Sequence, residues 1–119
     1  MPVGADDRDD PLARVPLLAY MDRDMVRDLA ASATTARYDA ATVVFRENDP
    51  TGDADFIVEG QVDFVRAGES LRTFGPGMLF GEGAVLRPGA TRAATATAAP
   101  GTVLLQIPGE RLRAVVTQS

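Results

Sequence analysis

The chain has 119 residues, 17 acidic against 12 basic side chains and a net charge of −5, and every basic residue is arginine. It has no His, Cys, Trp or Lys, which removes histidine general bases, thiolate nucleophiles, Schiff-base lysines, disulfides and zinc sites built on His or Cys. What remains is carboxylate, arginine, two tyrosines, threonine, three serines (Ser32, Ser70, Ser119) and the backbone, so a binding module is favoured over an enzyme.

The length holds one small domain, and an acidic chain with no arginine cluster opposes the phosphate field of nucleic acid. Residues 1–11 carry Asp6, Asp7, Asp9 and Asp10 without an apolar period, the composition of a disordered tail. They also lack the positive-then-apolar layout of a signal peptide, so a cytoplasmic location is expected. The domain itself is expected over residues 12–119. From Leu12 to Met21 a helical pattern is interrupted by Pro16; a stronger helix follows, with Asp22 placed to N-cap it and Met25, Val26, Leu29 and Ala33 on one side.

Beyond Tyr38, short apolar runs separated by turn residues mark an all-β domain. Strands are predicted near residues 42–45, 55–58, 61–65, 71–74, 91–98 and 103–107. Turns are predicted at Asn48-Asp49-Pro50, Thr51-Gly52-Asp53, Glu59-Gly60, Ala67-Gly68-Glu69, Gly75-Pro76-Gly77 and Pro100-Gly101. Pro50 and Pro76 suit the second position of a type I or II turn, and Gly60 suits a positive φ. The longest uncharged run, Ala93 to Gly109, spans 17 residues but is rich in Ala and Thr and broken by Pro100, Gly101 and Pro108, so it is no membrane helix. Glu110 to Val116 closes the pattern with one or two amphipathic turns carrying Leu112, Val115 and Val116. Short strands closed by helices from both ends suggest a small two-sheet roll or barrel.

Gly75 to Thr95 carries the chemistry. It reads as a tight turn, a short apolar strand, a Gly81-Glu82-Gly83-Ala84 helical turn, a loop, and then Arg92 leading into a strand. Amides at a helix start beside glycines form an anion site, and one arginine adds a planar donor fork suited to phosphate. Glu82 repels a phosphate but accepts hydrogen bonds from a sugar hydroxyl, so a sugar phosphate satisfies both residues.

These residues resemble the cyclic nucleotide-binding domain family, the type found in cAMP receptor protein and protein kinase A regulatory subunits. Phe80-Gly81-Glu82, with Arg92-Ala93-Ala94 at a Glu-to-Arg spacing of ten, is similar to its phosphate-binding cassette. Val44 to Asp53, Phe56 to Val62 and Leu71 to Gly77 resemble its upstream turn, hairpin and cassette lead-in, and the resemblance runs from about Leu12 to Val116. It implies a mainly β, cupin-like double-stranded β-roll (jelly roll), with short flanking helices at the N-terminus, in the cassette and at the C-terminus. It further implies that Glu82 takes the ribose 2′-hydroxyl beside Gly81, and that Arg92 pairs with the cyclic phosphate. The amides of Gly83, Ala84 and Ala93 would add donors, while Phe64 and Leu71 would contact base and sugar. A methyl at Ala93, where a hydroxyl often accompanies cGMP preference, leans the ligand toward cAMP.

The chain departs from the family pattern at Gly83, where a large apolar residue is usual; glycine there costs ~0.5 to 1 kcal/mol of helix propensity. Thr91, Ala41 and Asn48 are further departures, and the long hinge helix that lids the base is expected to be truncated or absent. Two functions are carried forward. One is a sensor that binds a cyclic nucleotide and signals to an effector protein or domain not in this chain. The other is a scaffold that binds no nucleotide and serves interaction or homo-oligomeric assembly. No cofactor, metal, nucleic-acid or membrane partner is expected; a cupin-like metal oxygenase is set aside because the chain has no imidazole.

Overall fold

The computed structural model describes residues 11–118, and the acidic tail lies outside them apart from Pro11. A 3-10 turn at Pro11–Arg14 leads through further turns into helix α1, Arg23–Ser32. The expected cap is present: the Asp22 carboxylate accepts the N–H groups of Asp24 at 2.8 Å and Met25 at 3.2 Å, satisfying donors that a helix start leaves open. Val26 and Leu29 are buried with Leu12, Val15 and Leu18, so the amphipathic face read from the sequence is the packing face.

The strands are β1 Thr34–Tyr38, β2 Thr42–Phe45, β3 Asp53–Glu59, β4 Val62–Arg66, β5 Glu69–Phe74, β6 Leu79–Phe80, β7 Thr95–Ala98 and β8 Thr102–Pro108. Helix α2, Glu82–Val85, lies between β6 and β7, and helix α3, Gly109–Thr117, follows β8. Two four-stranded antiparallel sheets result, ordered β1-β8-β3-β6 and β2-β7-β4-β5. This is the double-sheet β-roll with flanking helices that the sequence resemblance implies. No described helix is long and apolar enough to cross a membrane.

Strands β3 and β8 are covered on both faces, which is why they read as near-continuous apolar runs. On one face Ala54, Phe56 and Ile107 meet Leu12, Val26, Leu29, Leu112 and Val115 from the helices. On the other, Ile57 and Leu104 meet Val62, Phe80, Ala96 and Ala98 inside the roll. Each fully buried Leu or Ile side chain contributes about 1.5–3 kcal/mol. The same alternation turns Asp55 inward, opposite Gln106 in the β3–β8 register and opposite Phe80 in β6.

Gly60 has φ 88°, and a side chain there would collide with buried Thr102. The hydroxyl of Thr102 fills that space, donating to Gln61 O at 3.0 Å and accepting from Gln61 N–H at 3.2 Å. The Gly75-Pro76-Gly77 turn closes through Met78 N–H to Gly75 O at 3.3 Å, with Pro76 in second position.

Four expectations are corrected. The strand placed at 91–98 begins at Thr95, because Arg92 bonds the 46–50 turn instead of a neighbouring strand: Asn48 N–H to Arg92 O is 2.8 Å and Arg92 N–H to Asp49 O is 2.9 Å. Pro50 forms an isolated bridge to Thr91, while the hydrogen-bonded turn runs from Arg46 to Asp49 with Asn48 at φ 73°. Strand β1 was not expected; it is a polar edge strand, Thr34-Thr35-Ala36-Arg37-Tyr38, with little burial to pattern it. The turn placed at Thr51-Gly52-Asp53 is not formed: β3 already begins at Asp53, and Gly52 O accepts the distant Gly109 N–H at 3.0 Å instead of closing a local turn.

Candidate functional site

A cavity of about 380 Å³ opens between the cassette and the β4–β5 hairpin. All eight residues singled out from the sequence line it: Phe64 and Leu71 on the hairpin, Gly81, Glu82, Gly83 and Ala84 at the start of α2, and Arg92 and Ala93 before β7. Phe45, Arg72, Phe74 and Phe80, none of them among those eight, line the cavity too. Four phenylalanines form its floor, with ring centroids 6.0 Å apart for Phe45–Phe80, 5.2 Å for Phe64–Phe80 and 4.9 Å for Phe64–Phe74. Their sequence signal was a single aromatic in each of four separate strands, and only the closure of the roll brings them together.

An arginine stands at each end of this floor. Arg72 lies 5.7 Å from the Phe74 ring centroid and is exposed. Arg92 lies 4.1 Å from the Phe45 ring centroid and is only 5% exposed. Stacking of a guanidinium on a ring is worth about 0.5–2 kcal/mol, most where water is excluded. Arg92 is fixed from every side: the turn holds its backbone, Nη1 donates to Gly81 O at 3.1 Å, and Nη2 donates to Asp53 O at 2.6 Å. Burial lowers its pKa, and the carboxylates of Asp55, Asp53 and Asp49 oppose that shift. Two of its five N–H groups are used by those carbonyls; Nε, buried, has no partner among the described residues.

Gly81 makes this approach possible. It sits at φ 82°, and a Cβ built on it would lie 2.6 Å from Arg92 Nη1. Helix α2 begins at the next residue, so the Gly83 and Ala84 amides lie in its first turn, where no intrahelical acceptor exists. Glu82 is half-buried in the cavity wall. Arg87 is exposed and folds back on the cassette, its Nε donating to Gly83 O at 3.3 Å. At the far end of α2, Arg113 from α3 donates Nη1 to Val85 O at 3.0 Å, tying the cassette helix to the terminal one.

A second buried ionisable group, Asp55, shares a smaller cavity with Arg92 and couples to its charge. Asp55 is 2% exposed, its Oδ1 has no partner among the described residues, and desolvation raises its pKa to about 7 against the lowering effect of Arg92. No local pattern announces it, since an aspartate inside a strand of apolar residues reads as solvent-facing.

A β-roll with an aromatic-floored cavity, a buried arginine and open cassette amides has the make-up of a small-molecule-binding domain class. The comparisons narrow this class. Residues 35–119 match the family model of the cyclic nucleotide-binding domain, and the chain belongs to that family. Among solved structures it is similar to the regulatory domain of Toxoplasma gondii PKA with cAMP: TM-score 0.82, 25% identity, 94% of this chain and 43% of that one. It is also similar to the N-terminal domain of a transcriptional regulator from Streptomyces coelicolor, with TM-score 0.76, 30% identity, and 92% and 79% of the two chains. Glutaminase 2 of Bradyrhizobium diazoefficiens is 34% identical over 98 residues, which are 82% of this chain and 15% of that protein. The chain thus spans about a seventh of the length of that curated relative.

Proposed function

We propose that this domain binds a purine 3′,5′-cyclic nucleotide as a regulatory sensor rather than an enzyme. The observation that carries the reading is the gathering of the cassette residues and Arg92 on one cavity with an aromatic floor. The phosphate meets Arg92 and the amides of Gly83, Ala84 and Ala93, and the ribose 2′-hydroxyl donates to Glu82. Phe64 and Leu71 meet base and sugar. Occupation pulls on α2, and the Arg113 to Val85 bond passes that pull to α3 and on to an effector.

Ala93 offers no hydroxyl, which favours cAMP. A second reading, cGMP, rests on Arg72, a pure donor at the base end of the floor, because guanine presents two acceptors where adenine presents an acceptor and a donor. Calorimetry with both nucleotides on wild type, Glu82→Ala and Arg92→Ala tests the site. Truncating Arg92 is expected to cost about 2–5 kcal/mol of binding free energy. Because Arg92 also holds two backbone carbonyls, Glu82→Ala supplies a second variant that leaves those bonds in place, and its binding is expected to weaken as well. Equal binding by all three proteins would sink the assignment; no binding by wild type would favour the scaffold reading.

A further inference from the structure

Resting on the nucleotide reading above, we propose that Asp55 is a proton-linked positioning residue for Arg92, so that a cyclic nucleotide binds together with a proton taken up at the Asp55 carboxyl. The geometry has three parts. Asp55 is turned into the roll by strand alternation and buried. It lines, with Arg92, Asp49, Asp53 and Gln106, a second cavity of about 270 Å³ that shares Phe45 and Arg92 with the nucleotide cavity but none of the hairpin or cassette residues. Finally, the two buried polar atoms without a partner among the described residues are Asp55 Oδ1 and Arg92 Nε, and both belong to the groups that line this space.

One buried guanidinium is thus shared by two anions, the Asp55 carboxylate in the smaller cavity and the ligand phosphate that the nucleotide reading puts in the larger one. An ionised Asp55 offsets the charge of Arg92 and lowers the pull on phosphate; a neutral Asp55 leaves that charge to the ligand. Conversely, a phosphate on Arg92 adds a like charge near Asp55 and favours its protonated form. Binding and protonation therefore strengthen one another, as linkage requires.

The groups facing Asp55 come from each neighbouring element. Its own strand supplies Asp53, the 46–50 turn supplies Asp49, and the segment before β7 supplies Arg92. From β1 comes Tyr38, whose phenol is pushed up by burial and by the Asp55 charge. Gln106 on β8, Phe80 on β6 and Phe45 on β2 carry no titrating group. The free carboxyl is half-ionised at about pH 7, inside the range where function is read. Histidine and cysteine, the side chains that ordinarily titrate near there, are absent from the chain.

Calorimetric titration with cAMP and with cGMP at pH 6, 7 and 8 tests the proposal, with wild type and Asp55→Asn compared. For wild type the affinity is expected to fall about tenfold from pH 6 to pH 8, the factor that a group half-ionised near 7 gives when the ligand selects its neutral form. Asp55→Asn is expected to flatten the profile and to bind about tenfold more tightly than wild type at pH 8. If the variant does not fold, wild type at pH 7 in two buffers of different ionisation enthalpy carries the test alone: uptake of a fraction of a proton supports the linkage, and zero uptake overturns it. A wild-type slope that survives in Asp55→Asn also overturns it while leaving the nucleotide reading intact. Absence of binding at every pH overturns the nucleotide reading itself, and the linkage with it.

Discussion

At the scale of single residues, the site depends on how one arginine is held. Spacing and the family resemblance pointed to Arg92, and the fold brings it to the same cavity as Gly81 and Glu82. What spacing could not supply is the holding: Phe45 beneath the guanidinium, the carbonyls of Gly81 and Asp53 on its ends, and the 46–50 turn on its backbone. Asp55 was equally invisible, since its burial follows from both faces of β3 being covered. Its raised pKa has a consequence without any ligand. The folded protein keeps the Asp55 proton up to about pH 7, whereas the unfolded chain releases it near the ordinary 3.8. Stability from this source is therefore complete below about pH 4 and is lost as pH rises through 7, at up to about 1.4 kcal/mol per unit. Melting temperatures between pH 5 and 8 are expected to fall more for wild type than for Asp55→Asn; parallel curves would contradict a buried carboxyl that titrates there.

Among the elements, α2 is the weak point. It has four residues, one of them Gly83, and too few hydrogen bonds to stand alone. Its stability comes from buried Val85 and from Arg113 donating to the Val85 carbonyl at its end. A Cβ added at Gly83 meets nothing within 4 Å, and the residue lacks a positive φ. Gly83→Ala is therefore expected to stabilise the domain by about 0.5–1 kcal/mol in chemical denaturation; a loss of stability would show that the glycine serves a close approach the cavity walls do not reveal. Strong patterns made α1 and α3 legible within a residue or two, because each has a cap or a buried stripe. Strand β1 was not legible, being a polar edge with little burial to pattern it, whereas the short apolar run before Gly81 marked β6.

On the scale of the whole molecule, two sheets and a helical layer bring distant segments to one cavity: the hairpin at 62–74, the cassette at 79–85 and the approach to β7 at 92–94. The fold class was readable from short strands, turn residues and four ordered motifs. The aromatic floor was not, because its members come from β2, β4, β5 and β6 and meet only when the roll closes. A chain of net charge −5 holds an anion only where structure concentrates the few cations it has, and the cavity does so with Arg92 buried at one end and Arg72 exposed at the other. The central claim is thus one of location, and backbone amide NMR during titration with cAMP and with cGMP reads it directly. Saturable shifts are expected at Gly81, Gly83, Ala84, Arg92 and Ala93, with smaller ones reaching Arg113 through α2. An unchanged spectrum at millimolar nucleotide, or shifts confined to α1 and the far face of α3, would contradict it.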